Sequence, residues 1–160
     1  MKRKTASFTG MRPIFTGSPS IVQGGFNLDV EGQKFRVGDV VPAGTLAIFN
    51  EATRKVQVIK TAKVVEIDNE NNKKVTLYID EFYAPCFAVG DSVLKAGAVT
   101  GTFASAPTIT AIDNGNCLNN TGSVYVVTLS AAISGLKAGD VLTEVVKDSS
   151  NNAAERGKAN

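Results

Sequence analysis

The sequence predicts a mainly β protein, a compact β-sandwich or β-barrel-like body with an extended N-terminal arm. Three observations lead there. From Phe35 onward, short runs rich in Val, Ile, Thr and Tyr alternate with turn residues, which is the texture of strands separated by tight connections. No segment carries an apolar stripe of helical period long enough for a large helix. Residues 1–28 stand apart, with Gly10, Pro13, Gly17, Pro19, Gly24 and Gly25 interrupting any periodicity.

The 160 residues divide into an arm at 1–28, a β-rich body at 29–147 and a polar C-terminal tail at 148–160. A chain of this length buries roughly 70% of its unfolded surface, so it needs no metal or disulfide staple. The start, MKRKTASFTG, is basic but is not followed by the apolar run of a signal peptide. No apolar run reaches the roughly 20 residues of a membrane-spanning helix, and no membrane partner is expected. Cys86 and Cys117 are too few and too far apart for a disulfide framework or a zinc site. They read as small apolar or turn residues, with a bond between them left open.

Strands are expected over 45–50, 55–59, 62–68, 74–80, 98–103, 108–113, 123–130 and 141–147, and one short helical turn over 131–136. The run Lys55-Val56-Gln57-Val58-Ile59-Lys60 alternates polar and apolar residues, as a strand with one wet face does. Asn69-Glu70-Asn71-Asn72 reads as a polar hairpin connection. Three phrases, around Gly38-Asp39, Gly90-Asp91 and Gly139-Asp140, share an apolar residue followed by Gly-Asp and a strand-like pair. Glycine supplies unusual backbone angles and Asp caps the turn through its side chain, so each phrase reads as a way into a strand.

Charge is unevenly spread. Residues 1–28 carry Lys2, Arg3, Lys4 and Arg12 and no acid, so the net +2 of the chain leaves the rest slightly acidic. Phe8, Met11, Ile14, Phe15, Ile21, Val22 and Phe26 are scattered through the same stretch. Exposed aromatics are foreign to a purely solvated tail. The arm is therefore expected to bind a large or acidic partner through Lys2, Arg3, Lys4, Phe8, Met11, Arg12, Ile14, Phe15 and Phe26. Nucleic acid is not the expected partner, because the body is acidic, Trp is absent and basic residues are not interleaved with aromatics.

Chemistry leaves few traces. There is no His, the commonest general base and metal ligand, and no phosphate-cradling glycine loop or nucleophile elbow. Asp68-Asn69-Glu70 begins like a calcium loop, but Lys73 and Ile79 stand where its Gly and its bidentate Glu belong. Asp80 and Glu81 are adjacent, so on a strand they point to opposite faces. The reading is a non-enzymatic protein without metal or cofactor. A β-domain binding module, for example for glycans, is the alternative, with Tyr78, Phe82, Tyr83 and Tyr125 as its available platform.

The stretch Val37-Gly38-Asp39-Val40-Val41-Pro42-Ala43-Gly44-Thr45-Leu46-Ala47-Ile48-Phe49, followed by the strand from Lys55 to Lys60 and then Thr61-Ala62-Lys63-Val64, resembles tailed-phage head decoration and head-fibre-base proteins. The late Gly139-Asp140-Val141-Leu142-Thr143-Glu144-Val145-Val146 strand fits the same family. The resemblance implies a virion structural protein that decorates or cements the outer capsid surface, made in the host cytoplasm. It implies binding to the major capsid protein, self-association as a homo-oligomer, a trimer above all, and an N-terminal arm that orders on contact with the capsid.

Overall fold

Alternation decides which side chains go inside. In the segment Tyr125–Leu129 the residues Tyr125, Val127 and Leu129 are buried while Val126 and Thr128 are half-covered, and in Lys74–Leu77 the buried pair is Val75 and Leu77. A period of two is what a sheet with one dry face requires. The structure, a computed structural model, describes residues 23–35, 39–41, 45–79, 85–113 and 125–158. Its strands are β1 (Asn27–Leu28), β2 (Ala47–Asn50), β3 (Lys55–Val58), β4 (Thr61–Ile67), β5 (Lys74–Leu77), β6 (Val93–Lys95), β7 (Ile109–Asp113), β8 (Tyr125–Leu129), β9 (Val141–Lys147) and β10 (Ala153–Glu155).

The strands form two sheets. The large one runs β10-β9-β4-β5-β8-β7, with β6 also paired to β9. It curls until β7 meets β6. Ser92, just before β6, forms an antiparallel bridge with Thr108, just before β7. Val93 donates its N–H to the Pro107 carbonyl at 2.8 Å, and Ile109 donates to Asp91 at 2.9 Å. The ring β9-β4-β5-β8-β7-β6 is thereby barrel-like, which resolves the expected architecture toward the barrel. Val64, Val75, Leu77, Phe87, Val93, Ile109, Tyr125, Val127, Leu129 and Leu142 fill it. The Tyr125 hydroxyl donates to the Phe87 carbonyl at 3.4 Å, so its polar end is satisfied inside. Outside the ring, Val145 packs with Ala106 and Ala153 beneath Leu94 and Val99.

The small sheet is ordered β1-β3-β2, with β1 parallel and β2 antiparallel to β3. It precedes β4 directly and is joined to the ring through Ile59 and Lys60.

Several expectations change. The strand expected at 98–103 is absent; the strand is β6, one turn earlier, and Gly101 (φ 87°) and Phe103 bond instead to Ala153 and Asn151. The segment 131–136 forms a turn closed by Leu136 N–H to Ile133 at 3.3 Å, with no helix. The residues read as a polar tail from 148 contain β10 and a 3-10 turn at Arg156–Lys158. The Asp148 carboxylate accepts the N–H groups of Ser150 and Asn152 at 2.8 and 2.7 Å, which makes 148–152 a hairpin connection. Residues 27–28, counted with the arm, are a strand of the small sheet.

Two of the three Gly-Asp phrases are turns of one design, and Gly38 of the third lies outside the described residues. At both Gly90 and Gly139 φ is left-handed (88° and 92°). Each following Asp accepts an N–H three residues back, from Ala88 and Lys137, at 2.8 Å. Each also pairs with a lysine, Asp91 with Lys60 and Asp140 with Lys95. At the β4–β5 hairpin Asp68 accepts the Glu70 and Asn71 N–H groups, so the segment that begins like a calcium loop caps itself.

Truncating Leu142 to Ala, in the filled ring, is expected to cost ~2–5 kcal/mol. Val65→Ala, on the half-exposed bulge of β4, is expected to cost less than about 1 kcal/mol. Urea denaturation of the two variants checks the difference.

Candidate functional site

At the end of the barrel where β4 and β6 begin, five segments of the chain meet through polar side chains. Glu144 in β9 donates its N–H to the Lys60 carbonyl at 3.0 Å, and Val145 donates to Ser92 at 2.9 Å. These bonds set Lys60, Asp91 and Glu144 at one level of the ring. Lys60 Nζ lies 2.8 Å from Asp91 Oδ2, with both side chains essentially inaccessible. The same ammonium donates to the Lys34 carbonyl at 2.5 Å and stands 4.9 Å from the centre of the Phe35 ring. Burying a charge is tolerable only with such full partnering.

Beside it, Arg156 grips Glu144 bidentately, Nε to Oε2 at 3.1 Å and an η nitrogen to Oε1 at 2.8 Å. The fork geometry of guanidinium and carboxylate makes this one of the stronger charge-assisted contacts. Arg156 also reaches the Gln57 side-chain carbonyl at 3.1 Å. Gln57 in turn donates to Asp29 Oδ2 at 2.7 Å. Gln33 completes the clasp: its side-chain carbonyl accepts the Val58 N–H at 2.6 Å, and its amide donates to the Val58 carbonyl at 2.6 Å and to Glu144 at 3.1 Å. Gln33 thus mimics a strand neighbour of β3 while holding the ring. No buried side-chain polar atom among the described residues lacks a partner.

A cleft of about 480 Å³ opens next to this clasp, between residues 30–35 on one side and Gly90, Phe103 and Val145–Lys147 on the other. Its buried charges are committed to one another, so the arrangement acts as a lock between the two sheets. Among the described residues no three potential ligands converge on a metal position.

Of the residues expected to bind a partner, Phe26 alone is among the described residues. Lys2, Arg3, Lys4, Phe8, Met11, Arg12, Ile14 and Phe15 lie outside the described residues. Phe26 is described and half-buried, its ring 5.0 Å from that of Phe49 and tilted by 41°. The Arg54 guanidinium stands 4.9 Å from the Phe26 ring and donates to the Gln23 carbonyl at 2.6 Å. The root of the arm is therefore fastened to the loop between β2 and β3. Of the glycan-platform candidates, Tyr125 is buried in the barrel and Tyr78 is exposed; Phe82 and Tyr83 lie outside the described residues. Asp80, Glu81 and Cys117 do so as well, and the Cys86 sulfur lies 3.3 Å from the Val40 carbonyl.

That Gln33, Lys60, Asp91, Glu144 and Arg156 meet in one clasp went unread in the sequence. One signal was present: Glu144 interrupts the run Val141-Leu142-Thr143-Glu144-Val145-Val146, and a charge inside a buried strand needs a partner.

No family model, curated protein or solved structure matches the chain.

Two outcomes follow from the clasp. Lys60→Met leaves the Asp91 carboxylate buried without its cation and is expected to cost ~3–5 kcal/mol. Adding Asp91→Asn removes both charges, keeps an acceptor for the Ala88 N–H, and should recover most of the loss in urea melts. Separately, carboxylates on the surface set the acid limit. The Gln57 amide and the Gly32 N–H hold Asp29 below its ordinary pKa; Lys95 does so for Asp140, the Asn152 N–H for Asp148 and Lys158 for Glu155. Their folded pKa values lie below the unfolded ones, so the unfolded chain binds more protons in acid. Their contribution is complete above the ordinary carboxylate range and disappears as pH falls below about 4. Lys55, raised chiefly by Glu31, acts at the opposite end, its contribution fading above about pH 10.5. Melting temperature against pH should show a plateau between these limits and a drop on the acid side.

Proposed function

We propose that this chain is a virion structural protein that decorates or cements the outer surface of a tailed-phage capsid by binding the major capsid protein as a homo-oligomer. The observation that carries the reading is the fastened root of the arm. Gln23 is held by Arg54, Phe26 by Phe49 and Arg54, and β1 by β3. A basic, aromatic-bearing segment joined this firmly to a closed barrel can transmit its attachment to the body. The resemblance carried by residues 37–49, 55–64 and 139–146 points the same way.

The mechanism is contact area. Each apolar side chain of the arm buried on a capsid subunit contributes roughly 25 cal/mol per Å2, offset by the cost of ordering the segment. Lys2, Arg3, Lys4 and Arg12 add attraction to acidic capsid surface, which weakens with salt. Association of several copies turns modest single contacts into durable attachment through effective concentration.

Co-sedimentation with capsids assembled without this chain tests the proposal. The full chain should pellet with capsids, and the chain lacking residues 1–22 should remain in the supernatant. Equal pelleting of both removes the arm from the mechanism; pelleting of neither removes the capsid.

A further inference from the structure

The small sheet has two unlike faces. Gln57 turns toward the ring, where Arg156 meets it. Val56, its neighbour in β3, therefore turns away, and the register places Leu28 and Phe49 directly beside Val56 on the same face. Phe26 extends this row through its contact with Phe49. Phe49 is 55% exposed. Phe26, Leu28 and Val56 are half-buried. Only toward the end of the row does the face close, where Val58 is buried. A sheet of strands two to four residues long has little core of its own, and a short isolated sheet is marginal in water without a covered apolar face.

We propose that this face is the seat of the chain's own residues 8–22, occupied in the free protein. The place where that segment joins the body argues for it. Gln23, whose carbonyl Arg54 holds, lies three residues from Phe26 and the start of the row. Ile21 and Val22 come immediately before it, and Phe8, Met11, Ile14 and Phe15 stand within a further 13 residues. Fifteen residues reach up to about 50 Å when extended, several times the length of the row. A tethered segment competes at an effective concentration on the order of millimolar, ahead of any free partner. The seat is independent of the capsid reading; where both hold, the capsid takes over side chains that the small sheet covers beforehand.

The test places the photoreactive residue p-benzoylphenylalanine at position 49 of the full chain, followed by irradiation at low protein concentration and peptide mapping. Crosslinks are expected within residues 8–22, in a product of monomer mass. Crosslinks confined to a product of dimer mass overturn the proposal in favour of a second copy, and absence of any crosslink to residues 8–22 overturns it outright. A second measurement uses the full chain with Ile14→Asp and Phe15→Asp, changes that leave the barrel residues untouched. Hydrogen exchange at β2 and β3 should quicken in this variant, and unchanged exchange there likewise defeats the proposal. Neither readout involves capsids, so failure here and failure of the co-sedimentation experiment are told apart.

Discussion

Asp91 serves three structures at once, two through its carboxylate and one through its backbone carbonyl. It accepts the Ala88 N–H and so closes the turn that delivers the chain into β6. It neutralises Lys60, the residue that links the small sheet to β4. Its own carbonyl accepts from Ile109, which is part of the contact that closes the ring between β6 and β7. Such a buried pair is a poor source of net stability compared with well-packed apolar groups. Its effect is to make one arrangement of these segments much better than any other, because every alternative leaves a charge buried alone.

Around that point the molecule divides its physics. The barrel is held by apolar filling, with Tyr125 and Phe87 as its largest members and the tyrosine hydroxyl satisfied internally. The attachment of the small sheet is held by directional contacts, Gln33 to Val58 and Arg156 to Glu144 and Gln57. Apolar filling tolerates small shifts of its members, whereas the bidentate and paired amide contacts do not. The small sheet, and with it the root of the arm, is consequently set at a fixed attitude to the barrel.

Seven strands were legible because alternation and β-branched residues are local signals: β9 matches its expected range, and β2, β3, β4, β5, β7 and β8 lie within or close to theirs. What escaped is what depends on distant partners. β10 follows a run of Ser and Asn that reads as solvated tail, yet Asp148 gathers that run into a turn and Arg156 finds a carboxylate in the neighbouring strand. β6 is three residues long and follows a turn, too short for periodicity to register. The phrases at Gly90 and Gly139 revealed turns but not that their acids would each recruit a lysine from a distant part of the chain. Of the expected contact residues only Phe26 falls where its surroundings are described, and its ring contacts, Phe49 in β2 and Arg54 in the loop that follows, are ones that sequence spacing alone does not bring near.

The parallel pairing of β1 with β3 has a mechanical consequence. A pull on the N-terminal end of β1 is resisted through the C-terminal end of β3, which is anchored at Lys60. Because the two strands point the same way, the load runs along them as shear. The bonds from Asn27 to Arg54 and from Asp29 to Val56, both 2.8 Å, then carry the force together, whereas an antiparallel hairpin peeled from its end would yield one bond at a time. A tether built in this sense resists tension with very few residues.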